Sequence, residues 1–266
     1  MPYMKVERGF VIEGFYTPFE YFWDDKFVFD GESHSGYEVV FVGDGEIQVT
    51  EDENVYVLGR NDIIFHAPGE FHRIKSHGGT HPHVYVASFE AAGEIPRKLR
   101  DGVFNMTDAE AEEYVSVFGK IRALRDGRVD AYLSQEAADG LSAILIKLAK
   151  RNGASALSAS LAATEYGGIV SSMIKGIDLG EELSFFAREN NVSVSYLKYL
   201  FSKYAGVSPK KYYTALRVRR AEELLREGYG VNEIVSVMNF SSSAYFSMFY
   251  KRETGKCPTE YVKEKK

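Results

Sequence analysis

Two stretches decide the fold: VSVSYLKYLFSKYAGVSPKKYY (residues 192–213) and FSSSAYFSMFYKRETGKCPTEYV (residues 240–262) say nearly the same thing. Sliding one onto the other by 49 residues sets Leu197 on Phe246, Phe201 on Tyr250, Gly206 on Gly255, Pro209 on Pro258 and Tyr212 on Tyr261. Upstream the offset is 48, with Leu183 over Val231 and Ala187 over Val235, so one copy has gained a residue at its turn. Internal similarity at a fixed offset marks a repeated supersecondary unit. Each copy predicts a short amphipathic helix, a tight turn, a second helix, then Gly and Ser/Cys-Pro.

That order is a helix-turn-helix. In the first copy Leu183, Phe186 and Ala187 line one face of a helix over about residues 181–190. Asn190-Asn191 suits the turn, because Asn tolerates positive φ. Ser193 offers a capping oxygen to the next helix, whose buried face is spaced as Leu197, Leu200, Phe201 and Tyr204. In the second copy Val231, Ile234 and Val235 precede a turn at Asn239-Phe240. Ser241 or Ser242 then caps a helix expected to bury Tyr245, Phe246, Phe249 and Tyr250. Between the copies, Ser208-Pro209 opens a helix that Gly228 stops. At 1.5 Å per residue it is a strut of roughly 27 Å. Two second helices on such a strut suit successive major grooves, roughly 34 Å apart.

With those faces buried, Ser195, Lys198, Tyr199 and Ser202 point outward, and in the second copy Ser242, Ser243, Ala244, Ser247, Met248 and Lys251 do so. Base readout would rest on Lys198, on hydroxyl hydrogen bonds and on apolar contact with thymine methyls. Lys210, Lys211, Arg217, Arg219 and Arg220 of the strut, with Lys251 and Arg252, would hold phosphates.

The run VSVSYLKYLFSKYAGVSPKKYYTALRVRRAEELL followed by FSSSAYFSMFYKRETGKCPTEY resembles the DNA-binding domain of the AraC/XylS transcription regulators, over about residues 169–262. The Gly-x-Ser/Cys-Pro-x-x-Tyr element in both copies carries the resemblance. Asn190 and Val235 depart from it, standing where the family usually has an apolar residue and a small alanine. Asn239 replaces the usual turn glycine, and Tyr199 and Met248 stand where a basic residue is common. The resemblance implies duplex promoter DNA and RNA polymerase as partners.

Charge agrees with a divided chain. Residues 1–169 carry 16 Lys+Arg against 27 Asp+Glu, a net of −11, and residues 170–266 carry 16 against 11, a net of +5. A basic C-terminal part on an acidic chain is the footprint of nucleic-acid binding in that part alone. One cysteine, Cys257, excludes an internal disulfide and suits a reducing compartment. It precedes Pro258 as Ser208 precedes Pro209, which marks a loop or cap position. Repair proteins that share the DNA-binding domain use a methyl-accepting cysteine, but no neighbouring His and acid equip Cys257 as a nucleophile. The start, MPYMKVERGF, lacks the apolar core of a signal peptide, and no run reaches the length of a membrane span. A soluble cytoplasmic protein with no membrane partner is expected.

The N-terminal half reads differently. Residues 1–20 are aromatic-rich without clean periodicity and suggest an edge strand or an arm. From Phe27 to Phe89, short β-rich segments such as YEVVFV, EIQVT, VYVL, IIFHA and HVYVASF alternate with turns, as in a sandwich or small barrel. HSGYEVVFVGDGEIQV and VLGRNDIIFHAPGEFHRI resemble the cupin-like sensor domain of many AraC-type regulators. Thr107-Asp108-Ala109-Glu110 is a capping box opening a helix striped by Tyr114, Phe118, Ile121 and Leu124. A second helix, over about residues 130–150, shows Leu133, Ala137, Leu141, Ile144, Leu145 and Leu148. This stripe is more apolar than one side of a small barrel needs, so a two-fold interface is expected to bury the surplus. The family resemblance likewise places homodimer contacts here. GASALSASLAATEYGG reads as a linker.

In the barrel, Trp23, Tyr37, Phe65, Tyr85 and Phe89 supply aromatic walls, and His34, Glu38 and His72 supply polar anchors. Aromatic faces with a carboxylate suit a sugar or similar small polar effector, and sugars are frequent in the family. A barrel filled by its own side chains is the alternative. Cupin enzymes hold a metal through His-x-His, a Glu and a later His, but Gly36 occupies the second histidine's slot. No metal, cofactor or catalytic residue is therefore assigned. His77, His81 and His83 read as an exposed loop.

The expected fold is multi-domain, β followed by all-α. A cupin-like β-barrel (double-stranded β-helix) over 1–104 precedes a helical dimerisation element over 105–152. A linker over 153–168 then leads to an all-α domain with two helix-turn-helix motifs over 169–266. The expected function is a ligand-responsive regulator of transcription and not an enzyme. A metal-dependent cupin enzyme with an appended DNA-binding domain is the alternative.

Overall fold

The computed structural model describes residues 7–100, 102–127, 130–151 and 160–264, with residues 262–264 described by backbone only. The chain divides into two compact units, residues 1–159 and 160–266.

In the first unit, β1 (Phe10–Phe15), β2 (Phe19–Phe22), β3 (Tyr37–Asp44), β6 (Asp62–His66), β8 (His83–Gly93) and β9 (Phe104–Asn105) form one antiparallel sheet. Its order is β1-β8-β3-β6-β9, with β2 also on β8. A second sheet has the order β5-β4-β7, from β4 (Ile47–Glu51), β5 (Asn54–Leu58) and β7 (His72–Ser76). The N-terminal aromatic run thus supplies edge strands. Residues 1–6 lie outside the described part.

The larger sheet is buried on both faces, which explains its unbroken apolar runs. Alternation sends Val39, Phe41, Ile63, Phe65, Tyr85, Ala87 and Phe89 into one core, and Val40, Val42, Ile64, Val84 and Val86 into the other. The second core lies between the sheets and includes Trp23, Ile47, Val49, Tyr56, Leu58 and Ile74. The first packs against α1 (Asp108–Arg125) and α2 (Ala131–Ala149). The expected capping box is present, with Thr107 Oγ1 accepting from Glu110 N and Glu110 Oε2 accepting from Thr107 N. The two helices approach closely at Gly140, where a Cβ would come within 2.7 Å of Val117 Cγ2.

On the α2 stripe, Ala137, Leu141, Ile144, Leu145 and Leu148 are buried within the unit, against α1 and the sheet, and Leu133 is half-buried. His83 opens β8 rather than sitting in a loop, and its Nε2 lies 3.0 Å from Glu20 Oε1.

The second unit is helical: α3 (Leu161–Lys175), α4 (Leu183–Glu189), α5 (Val194–Tyr204), α6 (Pro209–Arg226), α7 (Val231–Val237), α8 (Ser243–Thr254) and α9 (Pro258–Glu264). The linker over 153–168 needs correction at its C-terminal end. Ser160 caps α3, and Ala163 and Tyr166 are buried with Ile169, Val170 and Met173 at helical spacing. Residues 152–159 lie outside the described part. Tyr166 of α3 packs against Phe201 of the first motif (5.2 Å between ring centroids), and Phe186 of that motif packs against Tyr213 of α6 (5.0 Å). A core gathers Ala221, Leu224, Leu225, Ile234, Met238, Phe240, Phe246, Phe249 and Tyr250 around the second motif. Among the described residues no helix is long and apolar enough to cross a membrane.

Candidate nucleic-acid interface and ligand cavity

The two motifs are locally equivalent. The turn of each places one asparagine at positive φ, Asn191 at 55° and Asn239 at 53°, a conformation Asn accepts more readily than most residues. Ser193 Oγ accepts from Tyr196 N at 3.1 Å, and Ser242 Oγ accepts from Tyr245 N at 3.1 Å. After each second helix a glycine takes the left-handed region, Gly206 at 71° and Gly255 at 77°. Ser208 caps α6 with Pro209 in its first turn. Cys257 N donates to Glu260 Oε2 at 2.6 Å, at the start of α9.

Ser195, Lys198, Tyr199 and Ser202 are exposed on α5. Ser242, Ser243 and Met248 are exposed at α8, with Met248 66 % accessible, while Ser247 is half-buried. Tyr245 was expected in the core and is instead 48 % exposed, adding an aromatic edge to that face. Lys210, Lys211 and Lys251 are exposed and form no ion pair among the described residues. Arg252 is exposed and pairs with its neighbour Glu253.

Arg217 and Arg220 are placed otherwise than a phosphate-holding role requires. Arg217 is half-buried, donates from an Nη to Met238 O at 2.7 Å, and stacks its guanidinium 4.1 Å from the centre of the Phe240 ring. Burial pushes its pKa down. Arg220 is committed to Asp178 and Glu223, both at 3.4 Å. Asn239 Nδ2 donates to Leu179 O at 3.0 Å, so the second turn is tied to the segment before the first motif. Arg217 and Asn239 therefore hold the second motif in place. Arg217→Ala, and equally Arg217→Lys, should destabilise the unit by about 1.5–3 kcal/mol through loss of this charge-assisted contact. The salt dependence of DNA binding should stay unchanged, because no phosphate contact is lost. Thermal melts and a salt titration check both halves, and a reduced salt slope would return Arg217 to the interface.

The first unit holds a cavity of about 650 Å³ between the strands. Of the residues expected to form it, Trp23, His34, Glu38 and His72 line it. Tyr37 and Tyr85 do not. They sit on the opposite face of their strands, Tyr37 against Phe65 and Phe89, and Tyr85 against Phe118. Period-two alternation imposes this: with Glu38 turned inward, Tyr37 must turn away. The sequence reading missed Phe19, Tyr21, Phe27, Phe29, Glu32 and Ser88. The spacing of Phe19, Tyr21 and Trp23 along one face was the available signal.

Glu38 is 6 % exposed. Burial pushes its pKa up, but hydrogen bonds from His34 and His72 outweigh this and hold it well below the carboxylate range. Its oxygens lie 3.5 Å from His34 Nε2 and 3.3 Å from His72 Nε2, and Ser88 Oγ donates at 2.7 Å. The hydrogen bond to Glu38 raises His34, whereas burial lowers His72. Deeper in, His66 stacks on His72 at 4.3 Å, and its Nδ1 lies 2.8 Å from Glu51 Oε1. Burial pushes Glu51 up to about 8 and pushes His66 down. The proton between them therefore belongs to Glu51.

Two clusters have the donors for a divalent cation, with ligand atoms within 4.8 Å of one another: Glu32, His34 and His72, and Glu51, His66 and Glu70. The first fits better. His34 and His72 turn Nδ1 toward the carbonyls of Gly36 (3.0 Å) and Glu70 (3.4 Å), leaving Nε2 of both beside Glu38. Metal-bound histidines are commonly oriented in this way. Glu32 stands beside His34, so the gap seen at Gly36 leaves a mixed imidazole–carboxylate set rather than none.

The comparisons agree with this architecture. A family model described as an AraC-like ligand binding domain matches residues 14–161, and one described as a helix-turn-helix domain matches residues 186–264. The chain is similar to the regulator GbdR of Pseudomonas aeruginosa (39 % identity over 85 residues, 32 % of this chain and 22 % of that protein). It is also similar to the uncharacterized regulator YidL of Escherichia coli (36 % over 72 residues, 27 % and 24 %). Such matches span about a quarter of those relatives' length. Among solved structures, ToxT from Vibrio cholerae with bound unsaturated fatty acid aligns over 98 % of this chain and 97 % of that one, at 15 % identity and TM-score 0.39. An AraC-type regulator from Chromobacterium violaceum aligns over 38 % and 90 %, at 31 % identity and TM-score 0.35. Since the first family model alone covers 148 of the 266 residues, from 14 to 161, this chain belongs to the AraC family of transcriptional regulators.

Proposed function

We propose that the protein is a ligand-responsive, sequence-specific DNA-binding regulator of transcription, acting on duplex promoter DNA in the cytoplasm as a homodimer in contact with RNA polymerase. The duplicated motif carries the reading: two second helices with matching caps and turns, each exposing a polar and aromatic face, joined by one strut. Ser195, Lys198, Tyr199 and Ser202 read bases from α5, and Ser242, Ser243, Ser247 and Met248 do so from α8. Lys210, Lys211, Lys251 and Arg252 hold phosphates. The cavity at Trp23, His34, Glu38 and His72 takes a small-molecule effector. The homodimer and polymerase contacts rest on family membership alone.

Base and phosphate contacts separate by experiment. Lys198→Ala should cost about 1–3 kcal/mol at the cognate site and little on random DNA. Lys211→Ala should weaken both by similar factors and lower the salt slope by about one. Competition binding with operator and scrambled duplexes decides. An unchanged specificity ratio in Lys198→Ala would remove α5 as a reader.

The Glu32, His34 and His72 cluster supports a second reading, a metal-dependent cupin enzyme carrying a DNA-binding domain. A bound divalent cation there would supply Lewis-acid chemistry, with the carbonyls of Gly36 and Glu70 orienting the two imidazoles through Nδ1. Metal analysis of purified protein, beside a Glu32→Gln, His72→Gln variant, distinguishes the two.

A further inference from the structure

We propose that the cavity of the first unit is a receptor for an organic cation, a protonated amine carried on an apolar or aromatic body. The proposal rests on the sensor reading above and names the chemistry of its ligand.

The cavity lining is of two kinds. Part of it is a row of stacked rings: Tyr21 lies 5.3 Å from Trp23, and Trp23 lies 4.1 Å from Phe27. Beside the rings stand two carboxylates, the buried Glu38 and the exposed Glu32, both close enough to Tyr21 to add to the rise that burial gives its pKa. Among the described lining residues there is no lysine or arginine. The histidine contacts to Glu38 are long, at 3.3 and 3.5 Å, and Ser88 fills one short position at 2.7 Å. A carboxylate has about four acceptor sites, so Glu38 retains capacity for a donor entering from the cavity. The segment from Glu20 to Glu38 adds four further carboxylates, Glu20, Asp24, Asp25 and Asp30, against the single Lys26. A cleft of one sign concentrates ligands of the opposite sign.

Other ligand classes meet this arrangement poorly. A carboxylate or phosphate would be desolvated beside two acids with no lysine or arginine to pair it, while His34 and His72 already face Glu38, and an unpaired buried charge is costly. A sugar has hydroxyls around its whole ring, whereas the stacked rings of Tyr21, Trp23 and Phe27 offer polar atoms only at Tyr21 Oη and Trp23 Nε1. Hydroxyls left unpaired against those rings lose more than they gain. A ligand with one cationic head and an apolar body satisfies both kinds of lining, the ammonium donating charge-assisted hydrogen bonds to Glu32 and Glu38.

Trp23 is the sole tryptophan, so intrinsic fluorescence of the full chain reports on the cavity wall. The probes are 2-phenylethylammonium, its near-isosteric anion 3-phenylpropionate, and phenyl glucoside. The ammonium should give a saturable change, and the other two should bind about tenfold more weakly or not at all. Glu38→Gln should weaken the ammonium by about tenfold or more, the scale of one charge-assisted hydrogen bond. If that buried substitution prevents folding, the exposed Glu32→Gln carries the test with the same direction. Equal or tighter binding of the anion or the glucoside overturns the proposal. So does the absence of a saturable response to the ammonium, or indifference of its affinity to both substitutions. DNA affinity measured on the same samples keeps the two readings apart. An ammonium that saturates Trp23 without altering DNA affinity sinks the sensor role and leaves the cation assignment standing. An anion that alters both does the reverse.

Discussion

Glu51→Gln should make the first unit markedly more stable above pH 8 and leave it unchanged near pH 4. Glu51 is buried at the end of β4, and burial, with the charge of Asp52 adding to it, pushes its carboxyl from an ordinary 4.5 up to about 8. The folded chain therefore keeps a proton that the unfolded chain has released. Between about pH 4.5 and 8 the folded state binds more protons, so stability falls as pH rises through that window and levels off beyond it. At 1.36 kcal/mol per pH unit the accumulated loss is about 5 kcal/mol. Gln is neutral at every pH and keeps a donor for His66 Nδ1, so it escapes the loss. In a unit of this size that corresponds to a rise in melting temperature of roughly 10 °C at high pH. His66 works in the opposite sense, because burial holds its pKa below 6.5 and acid must charge it on unfolding. The wild type should therefore be most stable at mildly acidic pH, and the variant should keep that stability to higher pH. Identical pH–melting profiles for the two would mean that Glu51 is ionised in the fold.

Raising salt from 50 to 200 mM should weaken DNA binding about a hundredfold per bound protomer. Lys210, Lys211, Lys251 and Arg252 are exposed, and in the proposed function they hold phosphates. Four neutralised phosphates give a slope of about −3.6 in log K against log salt. Adding Arg217 and Arg220 would give about −5.4 and a loss of about a thousandfold. Their internal contacts, to Met238 and Phe240 and to Asp178 and Glu223, argue for the smaller figure. A filter-binding or anisotropy titration at several salt concentrations resolves the two slopes. A flat titration would remove phosphate contact from the function altogether.

The duplicated motif was legible from the sequence because its signals are local. A capping serine, an asparagine turn, a proline at the first helical position and a glycine past the end act within four residues of one another. The spacing of Leu197, Leu200, Phe201 and Tyr204 already states which face is buried. The β-rich half was legible as strands and turns for the same reason, and so was the capping box at Thr107. Charge summed over each half pointed to the basic unit without any contact being known.

Other features depended on what each face met, and only the tertiary structure decided them. Two buried faces make β3 read as a continuous apolar run, so sequence alone did not separate Tyr37 on the helix side from Glu38 on the cavity side. The α2 stripe read as more apolar than its neighbour α1 requires because the rest of its cover, the larger sheet, comes from residues far along the chain. Arg217 carries the same side chain as any phosphate-holding arginine. What removes it from that role is Phe240, 23 residues away in sequence and 4.1 Å away in space. Glu51 and His66 stand on different sheets, and no sequence spacing announces that they share a proton. Propensity and periodicity are written along the chain, whereas burial, charge pairing and the shape of a cavity arise only when distant segments close on one another.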